Sequence, residues 1–332
     1  MNDLQLPETM KAIEYRGAAE LDVVAERPVP QPAAGEVLLR VRAAGINNAD
    51  ILQRRGEYPP PAGASDIPGL EASGTIVAAG KDVRGWNIGD GACALLAGGG
   101  YAEYVSVPAG QLAPIPRGVS ATDAAALPEV AATTWANLVM HGNATEGETA
   151  LVHGGAGGIG SFAVQLLREL GLRVITTAGS REKAEYCRTL GADHVIDYRD
   201  EDFTARTHEI TEGAGVDIIL DIMGGSYLPG NVKALATGGR LVIIAMQGGA
   251  KGELSIPALM AKRAWITGTT LRARSVEEKT EIMSQVAEHV WPLIERGGIA
   301  PQVSDVFALT DAAEAQERFQ QRDRRGKILL RA

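Results

Sequence analysis

One stretch, Leu151 to Gly160 (LVHGGAGGIG), constrains this 332-residue chain more than any other. Gly155, Gly157 and Gly160 fit the spacing G-x-G-x-x-G, and Gly154, Gly157 and Gly160 form an overlapping set. ETALVHG reads as a strand running into it. SFAVQLLRELG reads as the helix leaving it, ended by Gly171. In such a loop one glycine makes the tight turn, one lets backbone approach a pyrophosphate, and one lets helix pack close on strand. A helix opening near Gly158 and Ile159 turns unpaired N–H groups and a positive dipole end toward that anion. The spacing alone is weak evidence, since a glycine-rich strand–helix turn needs no ligand. The strand before, the helix after and a second strand beyond supply the context of a dinucleotide site.

The alternation continues. RVITTAG is a strand, REKAEYCRTLG a helix ended by Gly191, and HVIDY, VDIILDIMGG, LVIIAM and AWITGTTL are further short apolar strands. Strands alternating with helices make a parallel sheet covered on both faces. Before this region, from Met10 to about Leu127, apolar stretches such as EVLLRVRAAG and ASGTIVAAG are broken by Gly and Pro clusters. That pattern predicts a β-rich, partly open barrel. After about Ala273, SVEEKTEIMSQVAEHVWPLIERG reads as one long amphipathic helix. Met283, Val286, Val290 and Leu293 share its face, with Glu278, Lys279 and Glu281 largely off it. The terminal KILLRA reads as a strand. A tail this short must pack on something already built, so it is expected to rejoin the first domain. A chain of this length exceeds one ordinary core. The expected domains are therefore 1–128 with 273–332, β-rich, and 129–272, α/β.

The cofactor type follows from the end of the second strand, Gly179-Ser180-Arg181. An NAD site places Asp or Glu there for the ribose 2′-hydroxyl, and neither is present. Ser180 can donate a hydrogen bond, and Arg181 and Lys183 can meet a 2′-phosphate. The two cations could equally be a solvated first helical turn, so the missing acid carries more of the case for NADPH.

Charge excludes other classes. There are 32 basic against 41 acidic residues, net −9, and no polybasic run, so neither nucleic acid nor an anionic membrane surface is an expected partner. The two cysteines, Cys93 and Cys187, have no metal or disulfide spacing and read as thiols in a reducing compartment. The N-terminus lacks a signal-peptide pattern, and no apolar run approaches the ~20 residues that span a bilayer. A cytoplasmic location is expected.

Several runs together resemble the zinc-free quinone oxidoreductases of the medium-chain dehydrogenase/reductase superfamily, in particular the zeta-crystallin-like and ortho-quinone-reducing branches. They are AAGINNADILQRRGEYPPP, IPGLEASGTI, LVHGGAGGIGSFAVQL, TAGSREK with LGADHVIDY, DIMGGSY and RRGKILL. The resemblance covers nearly the whole chain after Met10. It implies a GroES-like catalytic domain, a Rossmann doubly wound sheet for NADPH, and a homodimer or homotetramer, with AWITGTTL a candidate edge strand. It places Ser180, Lys183 and Tyr198 at the adenosine ribose and phosphate, with Arg322 a further phosphate contact. Backbone contacts are implied near Thr133, Met246 and Leu271. In the superfamily's zinc alcohol dehydrogenases, Cys stands at the position of Asn47 and His at that of Leu70. Leu cannot ligate zinc, and an amide is a poor ligand. Reduction of an activated acceptor remains.

Asn47, Asp50 and Tyr58 are the candidate catalytic residues. Asn47 could donate to a developing oxyanion, Tyr58 could give its phenol proton or stack on a flat ring, and Asp50 could orient the amide or the ribose. Helix capping by Asn47 or Asn48 and turn packing by Tyr58 beside Pro59 are the bland alternatives. His153 is expected in the core or beside the cofactor, not as a general base. The leading function is NADPH-dependent reduction of a quinone. The alternative is reduction of an α,β-unsaturated carbonyl or enoyl thioester. An NADPH-binding protein with a sensing or RNA-binding role is the third reading, which the acidic charge opposes.

Overall fold

The computed structural model describes residues 6–15 and 23–332. By internal contacts the chain divides into two units, 1–132 with 271–332, and 133–270. The expected boundaries lie within four residues of these at one junction and two at the other.

In the first unit, β1 (Thr9–Glu14) and β2 (Val23–Pro28) form an antiparallel pair. Then come β3 (Glu36–Gly45), α1 (Asn48–Arg54), β4 (Glu71–Ala79), β5 (Gly91–Leu95), β6 (Tyr104–Pro108) and β7 (Leu112–Pro114). β3 is the spine of the sheet, bonded antiparallel to both β4 and β6. Its Val37, Leu38 and Leu39 are all fully buried. A strict period of two would leave one of any two neighbours exposed, so this run marks a strand covered on both faces. Ile13, Ile76 and Tyr101 complete the core around it. α2 (Pro128–Thr134) ends the region.

The second unit is a six-stranded sheet of β8 (Thr149–Val152), β9 (Arg173–Ala178), β10 (His194–Asp197), β11 (Val216–Asp221), β12 (Leu235–Ile243) and β13 (Trp265–Gly268). The strand order is β10-β9-β8-β11-β12-β13, parallel throughout. The first strand is therefore central, with crossovers leaving it in both directions. That reversal opens a crevice at the carboxyl ends, where ligands of open α/β sheets bind. The crossover helices are α3 (Gly158–Glu169), α4 (Arg181–Thr189), α5 (Phe203–Ile210), α6 (Leu228–Ala234) and α7 (Ile256–Lys262). Gly171 and Gly191 stand past α3 and α4 at φ +79 and +103, the left-handed turn that ends a helix without a Cβ penalty. β13 is the sheet edge, with Trp265 73% exposed.

The return to the first unit departs from expectation. The single long helix is instead α8 (Val276–Gln285), a π-helical turn over Val286–Val290 and α9 (Trp291–Glu295). Pro292 accounts for this: it has no N–H to donate and its ring crowds the carbonyl four residues back, so the ladder widens. The wider turn rotates the apolar face, and Trp291 and Ile294 are buried while Leu293 is only half-buried. Lys279, expected off the apolar face, is 4% exposed. β14 (Val303–Ala308) and α10 (Ala312–Gln320) follow. The terminal β15 (Lys327–Arg331) then inserts between β14, parallel, and β3, antiparallel. The tail is thus interior to the sheet that the N-terminal residues begin. Cys93 and Cys187 are free and buried.

Candidate active site

The glycine loop follows β8 directly. Gly154 sits at φ +73, and the Gly157 N–H donates to the Gly154 carbonyl at 3.0 Å, closing the turn. A Cβ on Gly155 would strike Thr176 of β9, and one on Gly160 would strike the backbone of Gly154 and Gly155. These two glycines serve close packing of α3 on the sheet. Gly157 differs, because a Cβ there would meet only the Gly154 oxygen at 3.5 Å, an ordinary contact. The protein tolerates a side chain at Gly157; the space beside the first turn of α3 is what it would fill. Gly158 and Ile159 open that turn, whose N–H groups have no intrahelical partner.

His153 lies beneath the loop, fully buried. Its Nε2 is 2.7 Å from Asn231 Oδ1 on α6, and its Nδ1 is 3.4 Å from Thr177 Oγ1, which accepts the Gly154 N–H at 3.0 Å. Asn231 Oδ1 can only accept, so Nε2 carries the ring proton and Nδ1 faces the threonine hydroxyl. The rings of Phe203 and Tyr227 stand edge-on to it. Burial pushes its pKa down to about 4, with the Asn231 bond opposing. It is a core group, as expected, and no general base.

The carboxyl ends of β9 and β10 gather the expected phosphate contacts. Ser180 caps α4, its Oγ accepting the Lys183 N–H at 3.3 Å. The hydroxyl proton remains to be donated. Tyr198 is 47% exposed, and its phenol rests on Gly179, where a Cβ would collide with it. Ser180, Lys183 and Tyr198 are thereby brought together. Arg181 is exposed and paired with Glu185 at 3.1 Å. A cleft of about 550 Å³ opens beside Tyr198, lined also by Phe203, Ser226 and Tyr227. Met246 is exposed beyond β12, and Thr133 is buried at the end of α2. Leu271 and the exposed Arg322 belong to the first unit.

The first unit gives Asn47 and Asp50 different roles from those expected. Asn47 is the N-cap of α1. Its Oδ1 accepts from Lys327 Nζ at 2.7 Å, and its Nδ2 donates to Glu71 Oε1 at 2.9 Å and to the Gly45 carbonyl at 3.4 Å. An ammonium only donates and a carboxylate only accepts, so the amide orientation is fixed and no N–H is spare for an oxyanion. Asp50 is 0% exposed. It accepts the Asn47 N–H at 2.8 Å, the Gly69 N–H at 3.1 Å and the Tyr101 hydroxyl at 2.9 Å. Burial pushes its pKa up to about 6 against those bonds. Neither residue can touch a reacting atom; both belong to the scaffold.

The centre of that scaffold is an ion pair that the sequence reading missed, Glu71 of β4 with Lys327 of β15, both buried. Glu71 also accepts the Glu129 N–H at 2.9 Å. A charge inside an apolar run is rarely buried unpaired, so GLEASGTI and GKILL each carried a signal for it. Tyr58 keeps its candidacy. It is half-buried, with the Arg272 guanidinium 5.5 Å from its ring centroid, near enough for a cation–π contact. Arg272, buried, also donates to the Tyr58 carbonyl at 3.2 Å, the Ala97 carbonyl at 2.8 Å and Gln53 Oε1 at 2.7 Å. Burial, then the nearby Glu129, raise the phenol's pKa, with Arg272 opposing. The phenol keeps its proton at neutral pH.

Comparison with known proteins agrees with this arrangement. Residues 33–117 match the alcohol dehydrogenase GroES-like domain, and residues 158–288 the zinc-binding dehydrogenase domain. The chain is 32% identical over 315 residues to the synaptic vesicle membrane protein VAT-1 homolog of Rattus norvegicus, covering 91% of this chain and 78% of that protein. It is 29% identical over 314 residues to the quinone oxidoreductase of Rattus norvegicus, covering 94% of each. The crystal structure of Escherichia coli quinone oxidoreductase complexed with NADPH superimposes with a TM-score of 0.86 at 29% identity, covering 98% of this chain and 99% of that one. The chain belongs to the medium-chain dehydrogenase/reductase superfamily and is an oxidoreductase. Its first unit is the GroES-like domain and its second a Rossmann domain.

The second domain's description raises zinc, and the residues do not fit it. Leu70 is buried and offers no lone pair, while the Asn47 carbonyl oxygen already takes an ammonium. Among the described residues no group of three or more His, Cys, Asp or Glu is placed to hold a metal. Also among them, no helix is long and apolar enough to cross a membrane.

Proposed function

We propose that this oxidoreductase is NADPH-dependent and transfers hydride to a quinone acceptor without a metal ion. The observation that carries the reading is the end of β9. Ser180, Lys183 and Tyr198 converge there, and no carboxylate follows the strand to hold a free ribose 2′-hydroxyl. The first turn of α3, open beside Gly157, suits the pyrophosphate. Ser180 Oγ–H, the Lys183 ammonium and the Tyr198 phenol suit the 2′-phosphate. When bound, NADPH supplies the hydride. A quinone is electrophilic enough to need little beyond positioning. The names of the rat and Escherichia coli relatives support the same acceptor class.

One observation favours a second reading, reduction of an α,β-unsaturated carbonyl or enoyl thioester. Tyr58 is a half-buried phenol that holds its proton at neutral pH, and such a donor is required where the α-carbon must be protonated. A rate matrix of NADPH and NADH against quinones, enones and enoyl-CoA tests both. Fast NADPH-linked quinone turnover unaffected by chelators supports the first. Tight NADPH binding with no turnover of any quinone overturns it. The same reading includes a cytoplasmic homodimer or homotetramer, to which the open edge of β13 lends support; sedimentation measures the assembly.

A further inference from the structure

The GroES-like domain holds more carboxyl groups than its ion pairs account for. Asp50, Glu71 and Glu129 lie close enough for their charges to interact. Glu71 has Lys327, the Asn47 amide and the Glu129 backbone N–H. Asp50 is saturated by its three donors. The Glu129 side chain is left over: among the described residues, no hydrogen bond or ion pair holds it. Two cations face it, and neither pairs with it. Arg272 gives its N–H groups to neutral oxygens, and Lys279 reaches it from α8 only through charge. Like-charged Glu71 and Asp50 oppose its ionisation, and Lys327 favours it more weakly than burial disfavours it. A carboxyl in such a place holds a proton. The remaining titratable group that feels Glu129 is Tyr58.

We propose that Glu129 is the proton store of this site, the neutral acid that returns a proton through water to the Tyr58 phenolate left after Tyr58 has protonated a reduced acceptor. The step balances simply. The Tyr58 O–H bond breaks as a C–H or O–H bond forms on the acceptor, whose electron pair comes from the NADPH hydride. The phenolate takes the Glu129 proton, and solvent reprotonates the carboxylate. The net reaction consumes one proton per hydride. Glu129 is a positioning and supply residue, with Tyr58 the group that touches the acceptor. The proposal rests on the NADPH reductase reading.

The supply empties as Glu129 ionises, at about pH 8. With an enone, wild-type kcat should fall above that pH. Glu129→Gln, a neutral mimic of the same shape, should lower enone kcat about 10- to 100-fold. It should also abolish the break near pH 8, leaving the NADPH KM unchanged. Glu129→Asp should restore the break. Quinone turnover should change little in either variant, because a hydroquinone anion can take its proton from water. A purely structural role would depress both acceptors alike and leave the pH profile in place. A second readout needs no turnover: infrared spectra of the cofactor-free protein should show a protonated carboxyl band lost as pH rises through about 8, and absent in Glu129→Gln. Normal turnover with no such band, or with the break intact in Glu129→Gln, overturns the proton store alone. No turnover with any acceptor overturns the reductase reading and the relay with it.

Discussion

The two domains fix their polar centres by opposite means. The GroES-like domain buries charge: Glu71 and Lys327 are tied through Asn47, with Asp50 close by. The Rossmann domain keeps its buried centre neutral, an imidazole strung between Asn231 and the threonine that holds the glycine loop. An ion pair taken from water repays desolvation only while both partners remain. A neutral hydrogen-bonded chain risks less, and fails only when a proton is forced onto it. The first centre should therefore break by mutation, the second by acid.

The largest effect should come from Lys327→Met. It strands the Glu71 carboxylate in the interior and should cost about 3–5 kcal/mol in urea unfolding. The double variant Glu71→Gln, Lys327→Met should recover most of that loss. A small loss in the single variant would remove the contrast drawn here.

Acid should supply the next effect. His153 is held neutral, its folded pKa about 4 against an ordinary 6.5. Its stabilising contribution is complete above pH 6.5 and drains away as pH falls toward 4, because the unfolded chain takes up the proton first. At these values the loss is at most about 3 kcal/mol. It is read as the difference in pH dependence between wild type and His153→Gln. Equal slopes would mean that the imidazole carries no linkage.

Two smaller effects separate fold from ligand in the Rossmann domain. Gly157→Val should leave the melting temperature nearly unchanged yet weaken NADPH roughly 10- to 100-fold, since the side chain fills space only a ligand needs. Gly160→Val should lower both, as its Cβ meets backbone. Lys183→Ala should cost about tenfold in NADPH affinity and little in NADH affinity, the worth of one screened charge on the 2′-phosphate. Fluorescence titration measures each. Equal losses for the two cofactors would take Lys183 off the phosphate.

The same contrast explains what could be read without coordinates. The glycine loop, the βαβ alternation and the absent acid after Gly179 are local patterns, set by neighbours a few residues apart, and they stand in the structure where the sequence puts them. The helix after Ser275 was misjudged because apolar period alone carries no sign of the widened turn at Pro292. Asn47 and Asp50 were misassigned for a different reason. Polar residues beside a likely cleft invite chemical roles, and only their partners show them to be spent. Lys327 lies 256 residues from Glu71, and no window along the chain contains both.

By itself the sequence determined what local sterics and hydrogen bonding determine: which segments are strands or helices, and where glycine must stand. It also determined that Leu70 gives zinc nothing to bind. Tertiary structure decided which polar groups are free to act. β15 carries Lys327 into the sheet beside β4 and so spends Asn47 and Glu71 on each other, while the Glu129 carboxyl is left unpaired within reach of Tyr58. Whether a side chain does chemistry depends on how many of its hydrogen bonds the fold has already taken, and that number exists only once distant strands have met.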